Sequence, residues 1–313
     1  MEYNEIDTTK IDEIVVPKKT TEQLFKDCLV DLDTPPTPLD VLVYIGVSDR
    51  GIKTPSITRG EVSCIYAPSK AKKSFAKSLI EAAFVGGNSE HYSKHFVGNR
   101  RTEGMLISID TEQGEFYAQR SFRRIEQIVG SRYKNYIPLK MRKQTVKDRL
   151  RLIDWIIYKS EYRNKIDMIT IDGLADLVEN TNDIEVSTAL AEKLLQWSAI
   201  GLHICFVLHK NPNSQKARGH LGSITTIKCE TMISMDGLCD DNGNPTDEKN
   251  TVKISCSHSR GISFEPFYLT VNREGLPFTH TNEHENNYVP FGYKEPPLKL
   301  IDNKDAFETE IPF

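Results

Sequence analysis

The sequence lacks a long apolar run and any closely spaced pair of cysteines. No stretch approaches the roughly 18 apolar residues of a membrane-spanning helix, and the polar segment from Met1 to Lys10 is unlike a secretory signal. The six cysteines are scattered without a C-x-x-C spacing, so neither a zinc site nor a disulfide framework is indicated. We therefore expect a protein of the reducing cytoplasm, with no membrane partner.

An excess of positive charge is also missing. The net charge is −4, which argues against a strongly basic nucleic-acid binder, although local basic patches matter more than the total. Residues 120–151 are rich in lysine and arginine, and the last dozen residues are acidic. The basic run is typical of a solvated helix face; a phosphate-contacting surface is the alternative.

What the sequence does contain is an alternation of apolar strands and helices. The strand patterns cover Glu61–Tyr66, Gly104–Ile109, Met168–Ile171 and His203–Leu208. The helical patterns cover Ser74–Phe84, Ala118–Ile128, Val146–Ser160 and Asp183–Ala199. Nearly continuous apolar strands that alternate with helices predict an α/β fold with a parallel sheet covered on both faces. Later strands, at Thr231–Met235, Thr251–Ser257 and Phe267–Val271, predict an antiparallel or mixed extension of that sheet.

Composition predicts four segments along the chain. Residues 1–33 form an N-terminal appendage with a short amphipathic helix near Thr21–Leu29. Residues 34–54 begin with a proline-rich stretch and form a linker that leads into the core. The core spans residues 55–278, and residues 279–313 form an extended acidic tail.

The loop after the first core strand is a candidate phosphate-binding loop. It consists of Ala67, Pro68, Ser69, Lys70, Ala71, Lys72, Lys73 and Ser74. The pattern G-x-x-x-x-G-K-[ST] is met only by Lys73 and Ser74, because Ala67 and Lys72 take the glycine positions. Lys73 could reach the β and γ phosphates of ATP, and the Ser74 hydroxyl could bind Mg²⁺. A basic turn without a ligand is the alternative.

The lost glycines bear on whether this loop can hold a nucleotide. Glycine allows a positive φ and a close approach of the backbone to a phosphate. Alanine at 67 is a mild change. Lysine at 72 is compatible with the site if its φ is negative, or if its own side chain binds phosphate.

Two other predicted strands end in carboxylates. Glu112 is the candidate base that orients a water against the γ-phosphate, while Asp110 is expected to hold the turn. Asp172 follows an apolar strand and would hold Mg²⁺ through water, and Gly173 would let the backbone pass closely. In an open α/β sheet such strand ends share one edge, which predicts a common cleft.

The fourth strand ends at His209, a candidate contact for the γ-phosphate. The basic loop that follows, from Asn211 to Thr226, contains Lys216, Arg218 and His220 as candidate DNA-binding residues. Arg260 follows a late strand, from which it could project into a neighbouring subunit.

Taken in order, these motifs resemble the core of the RecA superfamily over about residues 55–275. Ile109–Glu112 resembles the segment that carries the catalytic glutamate, and Arg218–Ser223 after His209 resembles the sensor and loop of the RepA-like group. His258-Ser259-Arg260-Gly261 is similar to the Lys-x-Arg-x-Gly stretch of DnaB-like helicases, with histidine in place of lysine.

The resemblance implies a RecA-like P-loop core whose mostly parallel sheet is flanked by helices and extended by C-terminal antiparallel strands. It also implies ATP and Mg²⁺ as ligands and a ring or filament of identical subunits, as in helicases of phages and mobile elements. Lys73, Glu112 and His209 would be catalytic within the subunit, and Arg260 would act in trans. The phosphate loop departs from the superfamily pattern at Ala67 and Lys72.

The last residues carry a second resemblance. Ile311, Pro312 and Phe313 close an acidic segment and resemble the tip of bacterial single-stranded-DNA-binding proteins. A terminal phenylalanine fills an apolar pocket while its carboxylate meets a basic residue. The resemblance implies recruitment of replication or repair proteins.

The sequence thus leads to an ATP-dependent protein that acts on single-stranded DNA, of helicase or recombinase type, in replication or recombination. The alternative is a non-hydrolysing single-stranded-DNA-binding protein on a RecA-like core, which recruits partners through its Ile-Pro-Phe tail. A metabolic kinase has the least support, since no segment suggests a lid over a small substrate.

Overall fold

A computed structural model describes residues 19–86, 93–98, 104–211, 217–239 and 250–281. The chain divides into two compact units after Pro38. In the first unit, helix α1 spans Thr21–Cys28 and begins with a capping box. The Thr20 hydroxyl accepts a hydrogen bond from the Gln23 backbone N–H, and the Gln23 side chain accepts one from the Thr20 N–H. The predicted helix is therefore present, and the backbone N–H groups of Thr20 and Gln23 both have acceptors.

The second unit holds the remaining elements. Its strands are β1 (Val41–Val47), β2 (Lys53–Thr58), β3 (Val62–Ala67), β4 (Phe96–Gly98), β5 (Met105–Asp110), β6 (Tyr136–Lys140), β7 (Ile166–Asp172), β8 (His203–His209), β9 (Thr231–Gly237), β10 (Thr251–Ser259), β11 (Phe267–Val271) and β12 (Pro277–His280). Its α-helices are α2 (Lys73–Gly86), α3 (Glu115–Val129), α4 (Val146–Tyr158), α5 (Ile184–Ala199) and α6 (Gly219–Ile227). A short 3₁₀ helix covers Leu174–Leu177.

Within the described ranges, nine strands form the central sheet, in the order β12-β11-β10-β9-β3-β8-β7-β5-β6. All pairs from β9 to β6 are parallel, whereas β9 to β12 pair antiparallel. The protein is therefore α/β with a large, mostly parallel sheet and an antiparallel C-terminal extension, as the strand patterns predicted.

Helices cover both faces of this sheet. Successive residues of β3 point to opposite faces, so Ile65 joins the apolar cluster that includes α2 and α3. Its neighbours Cys64 and Tyr66 join a second cluster that includes α4, α5 and α6. Because both faces are covered, β3, β5 and β7 are buried along their whole lengths.

Three segments predicted to lack regular structure overlap helices or strands. Residues 34–54 were predicted as a linker, yet β1 begins at Val41 and forms a separate three-stranded sheet with β2 and β4. The predicted loop from Asn211 to Thr226 contains α6. The predicted tail from residue 279 starts too early, since β12 continues to His280 and pairs with β11.

Among the described residues, no helix has both the length and the apolar character needed to cross a membrane.

Candidate functional site

The carboxyl ends of β3, β8, β7 and β5 lie next to one another at one edge of the sheet. Ala67 of β3 pairs with His209 of β8, and Asp110 of β5 pairs with Asp172 of β7. The predicted loop 67–74 therefore opens at the same edge as the residues predicted from three other strands. The parallel register brings them together, because His209 and Asp172 are the last residues of β8 and β7, and Glu112 comes two residues after the end of β5.

Two lysines in the loop adopt the backbone conformation that glycine normally supplies. The φ angle is +65° at Lys70 and +61° at Lys72. A negative φ at Lys72, one of two ways to reconcile lysine with the site, is therefore wrong. A left-handed conformation is unfavourable for an L-residue by roughly 1–2 kcal/mol. The loop therefore has a left-handed backbone at position 72, as glycine would allow, although the residue there is lysine.

This backbone shape leaves several donors free at the start of α2. No described group accepts a hydrogen bond from the backbone N–H of Ser69, Lys70, Lys72, Lys73 or Ser74. Alternation of left-handed and right-handed residues turns successive N–H groups toward one side, and the helix dipole adds partial positive charge there. The loop therefore has the donors that an anionic group such as phosphate requires.

The Lys73 side chain folds back over this loop and is buried. Its Nζ donates to the Pro68 carbonyl at 2.9 Å and lies 3.4 Å from the Ala67 carbonyl. Burial lowers the pKa of Lys73, while Asp172 and Glu112 act in the opposite direction. The ammonium is therefore held at the floor of the loop, next to the free N–H groups.

His209 connects Lys73 to Glu112. Its Nδ1 lies 3.1 Å from Lys73 Nζ, and its Nε2 lies 3.5 Å from Glu112 Oε1. An ammonium can only donate, so Nδ1 is the acceptor and the proton of the neutral ring sits on Nε2, facing Glu112. The hydrogen bond from His209 lowers the pKa of Glu112 against the opposing effect of burial. Glu112 is therefore held ionised at neutral pH.

Ser74 and Asp172 form the candidate metal site. The Ser74 hydroxyl donates a 2.8 Å hydrogen bond to Asp172 Oδ2. Burial raises the pKa of Asp172, while Lys77 and Ser74 act to lower it. A hydroxyl beside a carboxylate is a set of hard oxygen donors, which fits Mg²⁺. No group of three or more histidine, cysteine or acidic side chains with metal-binding geometry occurs in the described part of the chain.

Asp110 and Gly173 have the structural roles that the sequence indicated. Asp110 Oδ1 accepts hydrogen bonds from the N–H groups of Glu112 and Gln113, at 3.0 and 2.7 Å, and so holds the turn after β5. Gly173 has a φ of +99°, and a Cβ there would lie 2.2 Å from the Thr111 hydroxyl. That hydroxyl lies 2.9 Å from the Asp172 carbonyl oxygen and 3.1 Å from the Gly173 carbonyl oxygen, so its proton is shared within a contact that ties the two strand ends together.

A buried polar network beneath the site was missed. Lys77 Nζ lies 3.1 Å from Glu81 Oε1, and both side chains are almost completely buried. Ser108 bridges them, donating to Glu81 at 2.6 Å and accepting from Lys77 at 2.9 Å. Thr170 also donates to Glu81. The signal was present in the sequence, since Lys73, Lys77 and Glu81 recur every fourth residue on the otherwise apolar face of α2.

Arg218 and His220, the candidate DNA-binding residues, lie at the same edge of the sheet and are exposed at the start of α6. The Arg218 N–H donates to the His209 carbonyl at 2.8 Å, which anchors this segment beside the cleft. Lys216 lies outside the described residues, as do Ile311, Pro312 and Phe313.

Arg260 lies at the other end of the strands. It follows β10, which runs antiparallel to β9, and Ser259 pairs with Thr231 at the amino end of β9. Its Nη1 lies 3.0 Å and 2.8 Å from the two carboxylate oxygens of Glu61, just before β3, and forms an ion pair with them. Within one subunit Arg260 is therefore separated from the cleft by the length of the sheet.

Comparison with models of known protein families and with curated proteins finds no match to this chain.

Proposed function

We propose that the protein is an ATP-dependent enzyme of RecA-like type that acts on single-stranded DNA. The observation that carries the proposal is the set of free backbone N–H groups around Lys73, beside the Ser74–Asp172 pair. A triphosphate needs such donors for its phosphates and hard oxygen ligands for its metal. The central sheet, with all four contributing strands parallel, is compatible with this class of core.

Each residue in the cleft has a role in this proposal. Lys73 and the loop N–H groups would bind the phosphates, while Ser74 and Asp172 would hold Mg²⁺, which neutralises phosphate charge. Glu112, kept ionised by His209, would accept a proton from the attacking water. His209 touches both Lys73 and Glu112, so it is placed to transmit a change at the phosphates to the segment with Arg218. Arg260 would serve a neighbouring subunit.

The test is ATP binding and turnover with and without a single-stranded oligonucleotide. Lys73→Ala should abolish ATP binding, whereas Glu112→Gln should bind ATP normally and lower turnover by about 10²–10⁴-fold, the range for loss of a general base. Glu192→Gln is a matched control, because Glu192 is an exposed glutamate on α5. Unchanged turnover in both cleft variants would contradict the proposal.

One observation favours the alternative, a single-stranded-DNA-binding protein that does not hydrolyse ATP. The side chains of Lys73 and Ser74 already have partners within the protein, the Pro68 carbonyl for Lys73 and the Asp172 carboxylate for Ser74. This alternative predicts salt-sensitive oligonucleotide binding without nucleotide. A strict requirement for ATP in DNA binding would exclude it.

A further inference from the structure

A basic groove lies between α3 and the turn that joins β11 to β12. It has a volume of about 210 Å³, and its lining includes Arg120, Arg123 and Arg124 from α3 together with Glu274 and Gly275 from the turn between β11 and β12. Glu274 is the only carboxylate among these lining residues. No described carboxylate forms an ion pair with Arg120 or Arg123. The groove therefore concentrates positive charge that this part of the protein does not neutralise.

The guanidinium groups are held close together. Arg124 is buried, packs 3.8 Å over the Phe75 ring, and donates to the Ser78 hydroxyl at 3.1 Å. Burial and repulsion from Arg120 lower the pKa of Arg124 to about 10. Arg120 packs against the turn, since a Cβ on Gly275 would lie 2.8 Å from its Nη2. An anion between these groups would relieve the repulsion, and guanidinium forks match phosphate oxygens.

Aromatic surface adjoins the same groove. Phe116 lines the groove and is 67% exposed, and Tyr117, with its ring centroid 5.4 Å from that of Phe116, is 64% exposed. Phe116, Arg120, Arg123 and Gln127 follow one another on one face of α3, at the spacing of helical turns. Exposed aromatic rings beside guanidinium groups suit an unpaired base next to its phosphate. A duplex keeps its bases stacked and offers no free face to such a ring.

We infer that the groove on α3 is a binding site for single-stranded nucleic acid, in which Arg120 and Arg123 contact backbone phosphates and Phe116 stacks on a base. The inference rests on the proposed function, because it names a surface for the proposed nucleic-acid substrate. Phosphate contact by Arg120 and Arg123 would make the beginning of the basic run 120–151 a phosphate-contacting surface. Arg124 links this groove to the start of α2, since its Nη1 lies 3.4 Å from the Ser74 carbonyl.

The experiment measures fluorescence anisotropy of a labelled oligothymidylate of about 20 nucleotides, long enough for one or two typical single-strand sites. The full-length wild-type protein is compared with Arg120→Gln/Arg123→Gln over a range of salt concentrations, with and without ATP. Lys143→Gln/Lys147→Gln is the matched control, because both lysines are exposed, lie in the same basic run and lose the same charge. Thermal unfolding of each variant verifies that it is folded.

We expect the arginine variant to bind at least about tenfold more weakly, with the slope of log K against log salt reduced by about 1.4, since each single-strand phosphate contributes about 0.7. The lysine control should stay within about twofold of the wild type. Phe116→Ala should weaken binding by about tenfold without changing the salt slope, because stacking is not ionic. Oligouridylate in place of oligothymidylate shows whether RNA or DNA is preferred; either preference supports the inference.

Two results overturn the inference while leaving the proposed function intact. One is that the wild-type protein binds the oligonucleotide and the arginine variant has the same affinity for it as the lysine control. The other concerns a labelled peptide of residues 303–313. If Arg120→Gln/Arg123→Gln loses the wild type's binding of this peptide but binds the oligonucleotide as the wild type does, the groove is a site for the acidic tail. If the wild-type protein binds no oligonucleotide with or without ATP, the inference and the DNA part of the proposed function are both wrong.

Discussion

The hydroxyl of Ser74 donates a 2.8 Å hydrogen bond to Asp172, a residue 98 positions further along the chain. The bond joins the first turn of α2 to the end of β7, and it places a hydroxyl and a carboxylate where a phosphate-bound metal would need them. Removing the hydroxyl leaves a buried carboxylate with one partner fewer.

Ser74→Ala should therefore weaken the binding of the Mg²⁺ that accompanies ATP. We expect the Mg²⁺ concentration at half-saturation to rise by about tenfold, the usual scale for loss of a metal-site partner. Titration of ATP binding with Mg²⁺ provides the measurement. Ser78→Ala is the control, because its hydroxyl lies one helical turn later and donates to the Ser74 carbonyl instead of a carboxylate. An equal effect of both substitutions would contradict the assignment of Ser74.

Substitutions of Lys72 show whether the loop binds ATP through its backbone shape or through the charge of this side chain. Its φ of +61° suits glycine, so Lys72→Gly should be more stable than Lys72→Ala by about 1 kcal/mol, which urea unfolding measures. If the ammonium binds phosphate, both variants should bind ATP about tenfold more weakly, in line with about 1.4 kcal/mol for a charge-assisted contact. ATP affinity of Lys72→Gly equal to that of the wild type would show that the side chain is not a ligand.

Removing one partner of the Lys77–Glu81 pair should lower the free energy of unfolding strongly. Lys77→Met leaves the Glu81 carboxylate buried without its cation, and we expect a loss of about 3–5 kcal/mol in unfolding free energy. Lys77→Met/Glu81→Leu should lose less, because no isolated charge remains. Arg151→Met is the control, since it breaks an exposed ion pair with Asp148 and should cost less than about 1 kcal/mol. A double variant as unstable as the sum of the singles would exclude charge pairing.

Glu230 should make the protein less stable as pH rises. Burial raises its pKa from 4.5 to about 7, with the Thr58 hydroxyl donating to Oε1 at 2.7 Å and Oε2 without a described partner. Because the folded state binds this proton more tightly, unfolding free energy falls as pH rises from about 4.5 to about 7. The total decrease in unfolding free energy from this group is at most about 3 kcal/mol, at about 1.4 kcal/mol per pKa unit.

Glu230→Gln cannot ionise, so its stability relative to the wild type should increase between pH 5 and pH 8 in urea unfolding. Buried His95 and His203, whose pKa values are lowered to about 4 by burial, have the opposite pH dependence. Their contribution is common to both proteins and cancels in the difference. A difference that does not change with pH would contradict the raised pKa of Glu230.

Short-range patterns predicted most of the fold. The continuous apolar runs of β3, β5, β7 and β8 and the periodic apolar face of α5 are local signals, and each element was placed within a few residues of its observed bounds. Two elements were missed. The apolar run of β1 pairs with the next strand, β2, but it follows the proline-rich stretch that indicated a linker. Helix α6 contains two glycines and several β-branched residues, which have low helix propensity.

The sequence by itself determined which residues follow each strand, and hence that Lys73, Glu112, Asp172 and His209 would share one edge if the strands were parallel. Only the tertiary structure decided their contacts. Strand order places β8 between β3 and β7, which puts His209 between Lys73 and Glu112 and lets Ser74 reach Asp172. It also places Arg260 at the far end of the sheet and gathers Arg120 and Arg123 beside a distant hairpin. The physical reason is that hydrogen bonding between strands acts across any separation in sequence, so proximity is a property of the sheet and not of the motif.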